Sequence, residues 1–451
     1  MTRLLIRDGW VLTMDAAVGD LPAGDVLIEN GRIAAVGHSI VADDAEVIDA
    51  AGHIVMPGLV DTHRHTWQSC VRHRCGDMDS PGYFEEMLFR RGPRYRPEDV
   101  YIATLLGAVS ALDSGTTTML DWAHIVNTPD HSDAAITALV DSGVRAIFGH
   151  GWPLIDPVSW MVDSARGHPE DIRRLRKQYF SSNDGLLTLA MAGRGPEMTI
   201  PEVWQSDLRL ARELAIRSTI HMGAAGRGPR YHAIAQMNQA GALADDLTFV
   251  HCTTSSDVEL KMMSDTGVTV SLGIQVEQVT PAYGDLPLDR LLSVGLRPSL
   301  SSDTETKGAG DLFTQMKLAL SSYRAWMTNG HSRADKAPAD LPLRRVLEFA
   351  TIAGAEATGL ADKVGSLTPG KQADVILIRA TDLNLAPVSD AVGAVVLGAH
   401  AGNVDTVIVG GDVVKRHGRM LNCRYTVKSA STKSRDSCAC LHNRSGSQDG
   451  G

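Results

Sequence analysis

In the stretch VMPGLVDTHRHTWQ, residues 55 to 68, His63 and His65 stand two positions apart after an apolar run that turns at Pro57-Gly58. Side chains at i and i+2 of an extended strand leave the same face, so both imidazoles can offer a ring nitrogen to one point in space. Such a pair chelates a cation, or it is two ordinary histidines bonded to solvent at a strand end. The rest of the chain has to decide. Downstream, short runs of Val, Ile, Leu and Thr keep finishing in polar chemistry: Asp121 with Trp122 and His124, His150 with Trp152, Arg194, His221, His251 and Asp303. Several such endings converging on one rim are hard to explain as independent core histidines.

The elements that would position these residues are legible as alternation. DVYIATLLGAVSALDSG carries apolar residues at helical spacing, with Asp99 placed to cap and Gly115 just past the end, and TTTMLD follows as a strand. VRAIFGHGW, LLTLAMAGRG, the helix PEVWQSDLRLARELAIR with Pro201 early in its first turn, STIHMG, LTFVHC, GVTVSLGI and LRPSLSSD continue the pattern. Strands alternating with helices imply a parallel sheet joined by crossovers. Counting IVMPGLVDTHRH there are eight such strands. The roughly 240 positions from His63 to Asp303 suit one (β/α)8 TIM barrel, whose active sites lie at the C-terminal strand ends.

Both ends of the chain read differently. LLIRDGWVLTM suggests a strand pair around Asp8-Gly9, DVLIENGRIAAVG a hairpin at Asn30-Gly31, and NVDTVIVGGDVVKRHGRML a hairpin at Gly410-Gly411. The style is antiparallel, and the two ends together are expected to build one small sheet. The domain reading is 1–56 and 365–422 for this β part and 57–364 for the barrel. Residues 423–451, rich in Ser, Gly, Lys and Arg, are expected to be a disordered tail without catalytic role.

Composition bounds the partners. A net charge of -10 and a pI near 5.9 argue against nucleic acid as ligand, which requires a clustered positive footprint. Base-editing deaminases carry H-x-E with P-C-x-x-C, and that arrangement is not in the sequence. A small molecule is the expected substrate. No run approaches the ~18 apolar residues of a membrane span, and the N-terminus lacks a secretory signal, so a cytoplasmic location is expected. The six cysteines follow no disulfide framework and read as reduced thiols; Cys438-Ala-Cys440 could hold a soft metal or be two thiols in a loose tail.

PGLVDTHRH, SGTTTMLD (114 to 121), IHMG (220 to 223), VHC (250 to 252), SSD (301 to 303) with DLFTQMKLAL, GSLTPGKQADVIL (365 to 377) and NVDTVIVGGDVV (403 to 414) run in the order of the amidohydrolase superfamily. The chain resembles its cytosine deaminase-like and triazine hydrolase-like (chlorohydrolase) branch over nearly all of residues 1 to 421. The resemblance implies a (β/α)8 barrel with a small β-sandwich domain made by both chain ends, and a homo-oligomer. It implies one divalent ion, Zn2+ or alternatively Fe2+, held by His63, His65, His221 and Asp303, with His251 facing the metal-bound water. Three imidazoles and a carboxylate are a donor set suited to zinc or ferrous iron. Such an ion lowers the pKa of bound water to about 7; Asp303 would carry the water's proton to the leaving group and His251 would steady the oxyanion.

The pattern breaks at Ala224. Deaminases of this branch carry a glutamate three residues after the fifth-strand histidine to protonate a ring nitrogen, and a methyl group transfers no proton. Glu277, Glu305 and Glu197 are the candidates to replace it, each otherwise an exposed loop carboxylate. The seventh strand, VTVSLGIQVEQ, also lacks the family's usual histidine. For substrate contact the sequence offers Gln68, three after His65, the rim tryptophans Trp67, Trp122 and Trp152 as stacking surfaces, Glu277, and Arg194, Arg227 and Arg230 as a carboxylate clamp or solvated loop arginines. The expected activity is metal-dependent hydrolysis of a C-N bond, by deamination or amide or lactam hydrolysis, in a cyclic nitrogen-containing small molecule. The alternatives are isomerisation, decarboxylation or dehalogenation at the same metal, or a non-catalytic ligand-binding barrel.

Overall fold

The computed structural model describes residues 3–332 and 336–421. Eight parallel strands pair in chain order: Leu59–Arg64, Thr116–Ala123, Arg145–His150, Leu187–Gly193, Arg217–Met222, Leu247–His251, Thr269–Leu272 and Ser299–Leu300. They are buried almost throughout, as strands wrapped by helices must be, which is why they read as continuous Val, Ile, Leu and Thr runs. The ring closes between its last and first members. Asp303 N–H donates to the His63 carbonyl at 2.9 Å, and His65 N–H donates to the Asp303 carbonyl at 2.8 Å. Inside, the Thr62 hydroxyl lies 2.7 Å from Ser271 Oγ and 2.9 Å from Ser299 Oγ, so small buried hydroxyls satisfy one another across the barrel floor.

The outer helices follow their sequence cues with one shift. The helix Pro97–Asp113 starts at its proline, and Asp99 is its third residue, where the carboxylate accepts the Arg96 N–H at 3.1 Å instead of capping from outside. The helix Pro201–Glu213 likewise opens on its proline.

The chain ends form a separate nine-stranded sheet. Its edges are antiparallel, but its centre is mixed, which corrects the reading of LLIRDGWVLTM as two strands. Arg3–Val11 is one strand: Leu4–Arg7 pair parallel with Glu46–Asp49, and Trp10 and Val11 pair parallel with Ile54 and Val55. A bulge at Asp8, φ +60°, moves the strand from one partner to the other, and the Asp8 N–H is taken up by Asp25 Oδ1 at 3.0 Å. Asn30 and Gly31, at φ +51° and +77°, turn the expected hairpin, a conformation that favours these residue types. The two ends of the chain meet where His53–Pro57 pairs with Val375–Arg379. Arg145 at the start of the third barrel strand fastens sheet to barrel, donating to the two Asp374 oxygens at 3.0 and 2.9 Å.

No described helix is long and apolar enough to cross a membrane. Among the described residues, Cys70, Cys75 and Cys252 form no disulfide. The expectations for residues 423–451, including Cys438 and Cys440, fall outside the described residues.

Candidate active site and metal centre

The strand ends bring the three first- and fifth-strand histidines, His251 and Asp303 to one point. Asp303 Oδ1 lies 3.4 Å from both His63 Nε2 and His65 Nε2, and His221 Nε2 lies 3.2 Å from His63 Nε2. Four ligands at about 2.1 Å from a tetrahedral ion are separated by about 3.4 Å. His63, His65 and Asp303 form one group whose ligand atoms lie within 4.8 Å of one another, and His221 adjoins it through His63. His251 joins His63 and His221 in an overlapping group whose ligand atoms lie within 4.8 Å.

Neighbours set which nitrogen faces inward. The Trp122 carbonyl lies 2.9 Å from His65 Nδ1, which leaves the Nε2 lone pair for the centre. Glu277 Oε1 lies 3.0 Å from His251 Nδ1; against burial, that hydrogen bond and the Asp303 charge raise the His251 pKa, which favours a proton on Nε2 as well. Burial pushes the pKa values of His63, His65 and His221 down, so they stay neutral and keep their lone pairs. Burial works against a charge on Asp303 as well, yet its hydrogen bond to His63 and the surrounding imidazoles hold its carboxyl well below the usual range. His251 and Asp303 sit at φ +77° and +55°, left-handed conformations that cost energy outside glycine. Gly273 makes room for the second: a Cβ there would stand 3.0 Å from Asp303 Cβ. This accounts for the unusual seventh strand, which supplies a gap at Gly273 and then the short helix Ile274–Val279 carrying Glu277.

A cavity of about 820 Å³ opens above these groups, walled by Tyr83, Phe84, Trp122, Trp152, Met198 and Tyr283. Trp122 lines this cavity, its ring edge-on to His221 with centroids 4.2 Å apart. Three other expected contacts are corrected. Gln68 is fully buried and does not line the cavity; Nε2 donates to Tyr83 Oη at 2.6 Å and Oε1 accepts from Thr304 Oγ1 at 2.6 Å. Arg194 is buried away from the cavity, donating to Asp207 Oδ2 at 3.0 Å and the Arg166 carbonyl at 2.7 Å. Glu277 does not line the cavity; its Oε1 meets His251 Nδ1 and accepts the Gly273 N–H at 2.9 Å.

The three acids read as exposed loop carboxylates are all buried. Glu305 is locked between Arg64 at 3.2 Å and Arg72 at 2.9 Å. Glu197 lines the cavity together with Ala224 and Arg227. Sequence reasoning did not select Tyr83, Tyr283 or Lys307, which also line it. Tyr283 packs edge-on against His251 with centroids 5.1 Å apart. Both tyrosines come from excursions between strands, where no periodicity marks the inward face. His124 stood among the strand-end residues, and its ring centroid lies 4.5 Å from that of His65; burial pushes its pKa down to about 3.

The sequence profile of the amidohydrolase family matches residues 54–414. The chain belongs to this family. The amidohydrolase is 28% identical over 429 residues to the 5'-deoxyadenosine deaminase of Methanosarcina mazei, covering 93% of this chain and 94% of that one. It is 26% identical over 429 residues to the 5-methylthioadenosine/S-adenosylhomocysteine deaminase of Pyrococcus furiosus, covering 93% and 96%. Its fold matches an adenosine deaminase from Xanthomonas campestris with bound zinc, at TM-score 0.84 and 20% identity over 98% and 99% of the two chains. An atrazine chlorohydrolase from Arthrobacter aurescens TC1 complexed with zinc matches at TM-score 0.82 and 21% identity over 96% and 99%. The amidohydrolase is accordingly a hydrolase of carbon-nitrogen bonds that works with a divalent metal.

Proposed function

We propose that this amidohydrolase removes the amino group of a nitrogen heterocycle by hydrolysis, with an adenine-type ring as the first substrate class, and that His63, His65, His221 and Asp303 hold its single ion. Two overlapping groups that share His63, one with His65 and Asp303 and one with His221 and His251, each within 4.8 Å, support the reading. Zinc suits the set best, with ferrous iron next. When bound, the ion supplies a water of lowered pKa beside the ring carbon. Asp303, kept ionised, takes the water's proton and returns it to the departing amine. His251, oriented by Glu277 at 3.0 Å, directs Nε2 at the oxygen that gains charge. Trp122 and Tyr283 offer flat apolar surfaces to a ring, and Tyr83, aligned by Gln68, offers a hydroxyl at its edge. The relatives' names, 5'-deoxyadenosine and 5-methylthioadenosine/S-adenosylhomocysteine deaminases, support the choice of ring.

The test is metal analysis followed by ammonia release from 5'-deoxyadenosine and 5'-methylthioadenosine. About one divalent ion per chain, and ammonia release that is lost on chelation and regained with Zn2+, are expected. Fewer than about 0.2 ions per chain, unrecovered by adding Zn2+ or Fe2+, would leave a ligand-binding barrel instead.

A further inference from the structure

A methyl at position 224 leaves the site without the acid that protonates the ring, and the cavity holds a replacement from another strand. Glu197 follows the fourth barrel strand in the turn GRGPEMT and is 5% exposed. It lines the same cavity as His221, Ala224, His251 and Asp303. Its Oε1 accepts the Gly223 N–H at 2.6 Å, one residue before Ala224. The carboxyl thus crosses from the neighbouring strand to the backbone one residue before the position from which a residue-224 side chain would project.

The competing acids are excluded by their position. Glu277 is bound to His251 and Gly273, Glu305 to Arg64, Arg72 and Ser69, and neither lines this cavity. Among the described residues that do line it, the other carboxylates are Asp303, turned to His63 and His65, and Glu85, exposed at the mouth.

We infer that Glu197 is the proton donor of this site, delivering its proton to the ring nitrogen of the substrate as water adds to the adjacent amino-bearing carbon. This inference rests on the deamination reading above. The carbon-oxygen bond forms, the C=N electron pair moves onto nitrogen, and nitrogen takes the Glu197 proton. On collapse the bond to the exocyclic amine breaks, and Asp303 hands that amine the water's proton, so ammonia leaves. The hydroxyl proton of the tetrahedral carbon returns to Glu197 as the carbonyl forms, and the site is restored. The protonation state agrees: burial raises the Glu197 carboxyl to about 7, with Glu259 adding to the rise and the Gly223 hydrogen bond, Arg227 and His251 opposing it. The Cys252 thiol beside it is pushed up by burial and stays neutral.

The experiment compares zinc-loaded wild type, Glu197→Gln, and the double variant Glu197→Gln/Ala224→Glu. Infrared difference spectra between pH 5 and 9 are expected to show, in wild type, a carboxylic-acid stretch beyond those of the other buried carboxyls, and that band is lost in Glu197→Gln. With 5'-deoxyadenosine, Glu197→Gln should lower kcat at least about 10²-fold with KM within threefold, the range of lost general-acid catalysis. Restoring a carboxyl through Ala224→Glu should recover at least tenfold, an effect a merely structural Glu197 would not produce. A wild type without the acid stretch, a Glu197→Gln kcat within threefold of wild type, or no rescue in the double variant overturns the assignment of Glu197. A wild type that releases no ammonia from either nucleoside overturns the deamination reading and the inference with it.

Discussion

Replacing Arg194 by Met tests the most consequential difference between a rim arginine and a structural one. Arg194 is 1% exposed, and its guanidinium meets Asp207 Oδ2 at 3.0 Å, the Arg166 carbonyl at 2.7 Å, Ser164 Oγ at 3.2 Å and the Trp160 carbonyl at 3.3 Å. Met fills much of the volume but leaves Asp207, 3% exposed, with the His168 N–H at 2.8 Å. Breaking a buried pair from one side costs about 3–5 kcal/mol. For a barrel of this size that is a fall of about 5–8 °C in Tm. The deficit depends on pH in a definite direction. Burial already raises the Asp207 carboxyl against the pull of Arg194, and losing the guanidinium raises it further. The folded variant then binds a proton more tightly than the unfolded chain. Its stability falls as pH rises from the unfolded carboxyl value of about 4 to the raised folded value, by up to about 1.4 kcal/mol per pH unit. Urea unfolding at pH 5 and pH 8 should show the larger deficit at pH 8. Adding Asp207→Asn, which keeps an acceptor for His168, should recover most of the loss. An unchanged Tm with a tenfold rise in KM for 5'-deoxyadenosine would refute this account and return Arg194 to the substrate.

Other expectations follow from the same contacts. Gln68→Ala removes a donor from Tyr83 and an acceptor from Thr304, each worth about 1–3 kcal/mol when buried; KM should rise with kcat nearly constant, and an unaltered KM would remove Tyr83 from substrate contact. Asp303→Asn should weaken zinc affinity beyond the about 10–100-fold typical of groups one step removed from a metal; equal affinity in competitive chelator titrations would exclude Asp303 as a ligand. A chain stripped of its ion should unfold about 8 °C lower than one held at a thousandfold excess over Kd, following about 4 kcal/mol of binding linkage. Superimposable scanning-calorimetry traces would mean that the ion binds no donor specific to the folded state.

What the sequence discloses of this molecule divides along a physical line. Period-two placement carried His63 and His65, and strand ends carried His221, His251 and Asp303, because β periodicity and barrel geometry are local rules. Pairing is not local. Glu305 reads as a loop acid because its cations, Arg64 and Arg72, lie more than 230 residues earlier. Arg194 reads as a clamp because it ends a strand at the rim, yet the helix Pro201–Glu213 brings Asp207 underneath and turns it outward from the cavity. At Asp8-Gly9 a local turn signal lost to the sheet, since two successive parallel partners, Glu46–Asp49 and Ile54–Val55, reward a continuous strand more than a hairpin would.

Arg64, between the two histidines, connects the closure of the barrel to the site. Alternation sends His63 and His65 toward the centre and Arg64 the opposite way. There its guanidinium lies 3.3 Å from Asp61 Oδ2, 3.2 Å from Glu305 Oε1 and 2.9 Å from the Gly310 carbonyl. Asp61 in turn accepts the Ser302 N–H at 3.1 Å. These contacts span the seam between the first and eighth strands, which the two Asp303 backbone hydrogen bonds and the Thr62 hydroxyl, 2.9 Å from Ser299 Oγ, also close. Arg64→Met therefore should destabilise by about 3–5 kcal/mol, leaving Asp61 buried without its cation and Glu305 with Arg72 alone. It should also loosen Asp303 relative to His63, so zinc affinity falls about tenfold or more although no ligand is touched. Calorimetry paired with zinc titration separates the two effects. Lost stability with wild-type zinc affinity would mean that the seam holds the barrel shut without setting the site, because Asp303 would then keep its place by its backbone hydrogen bonds alone.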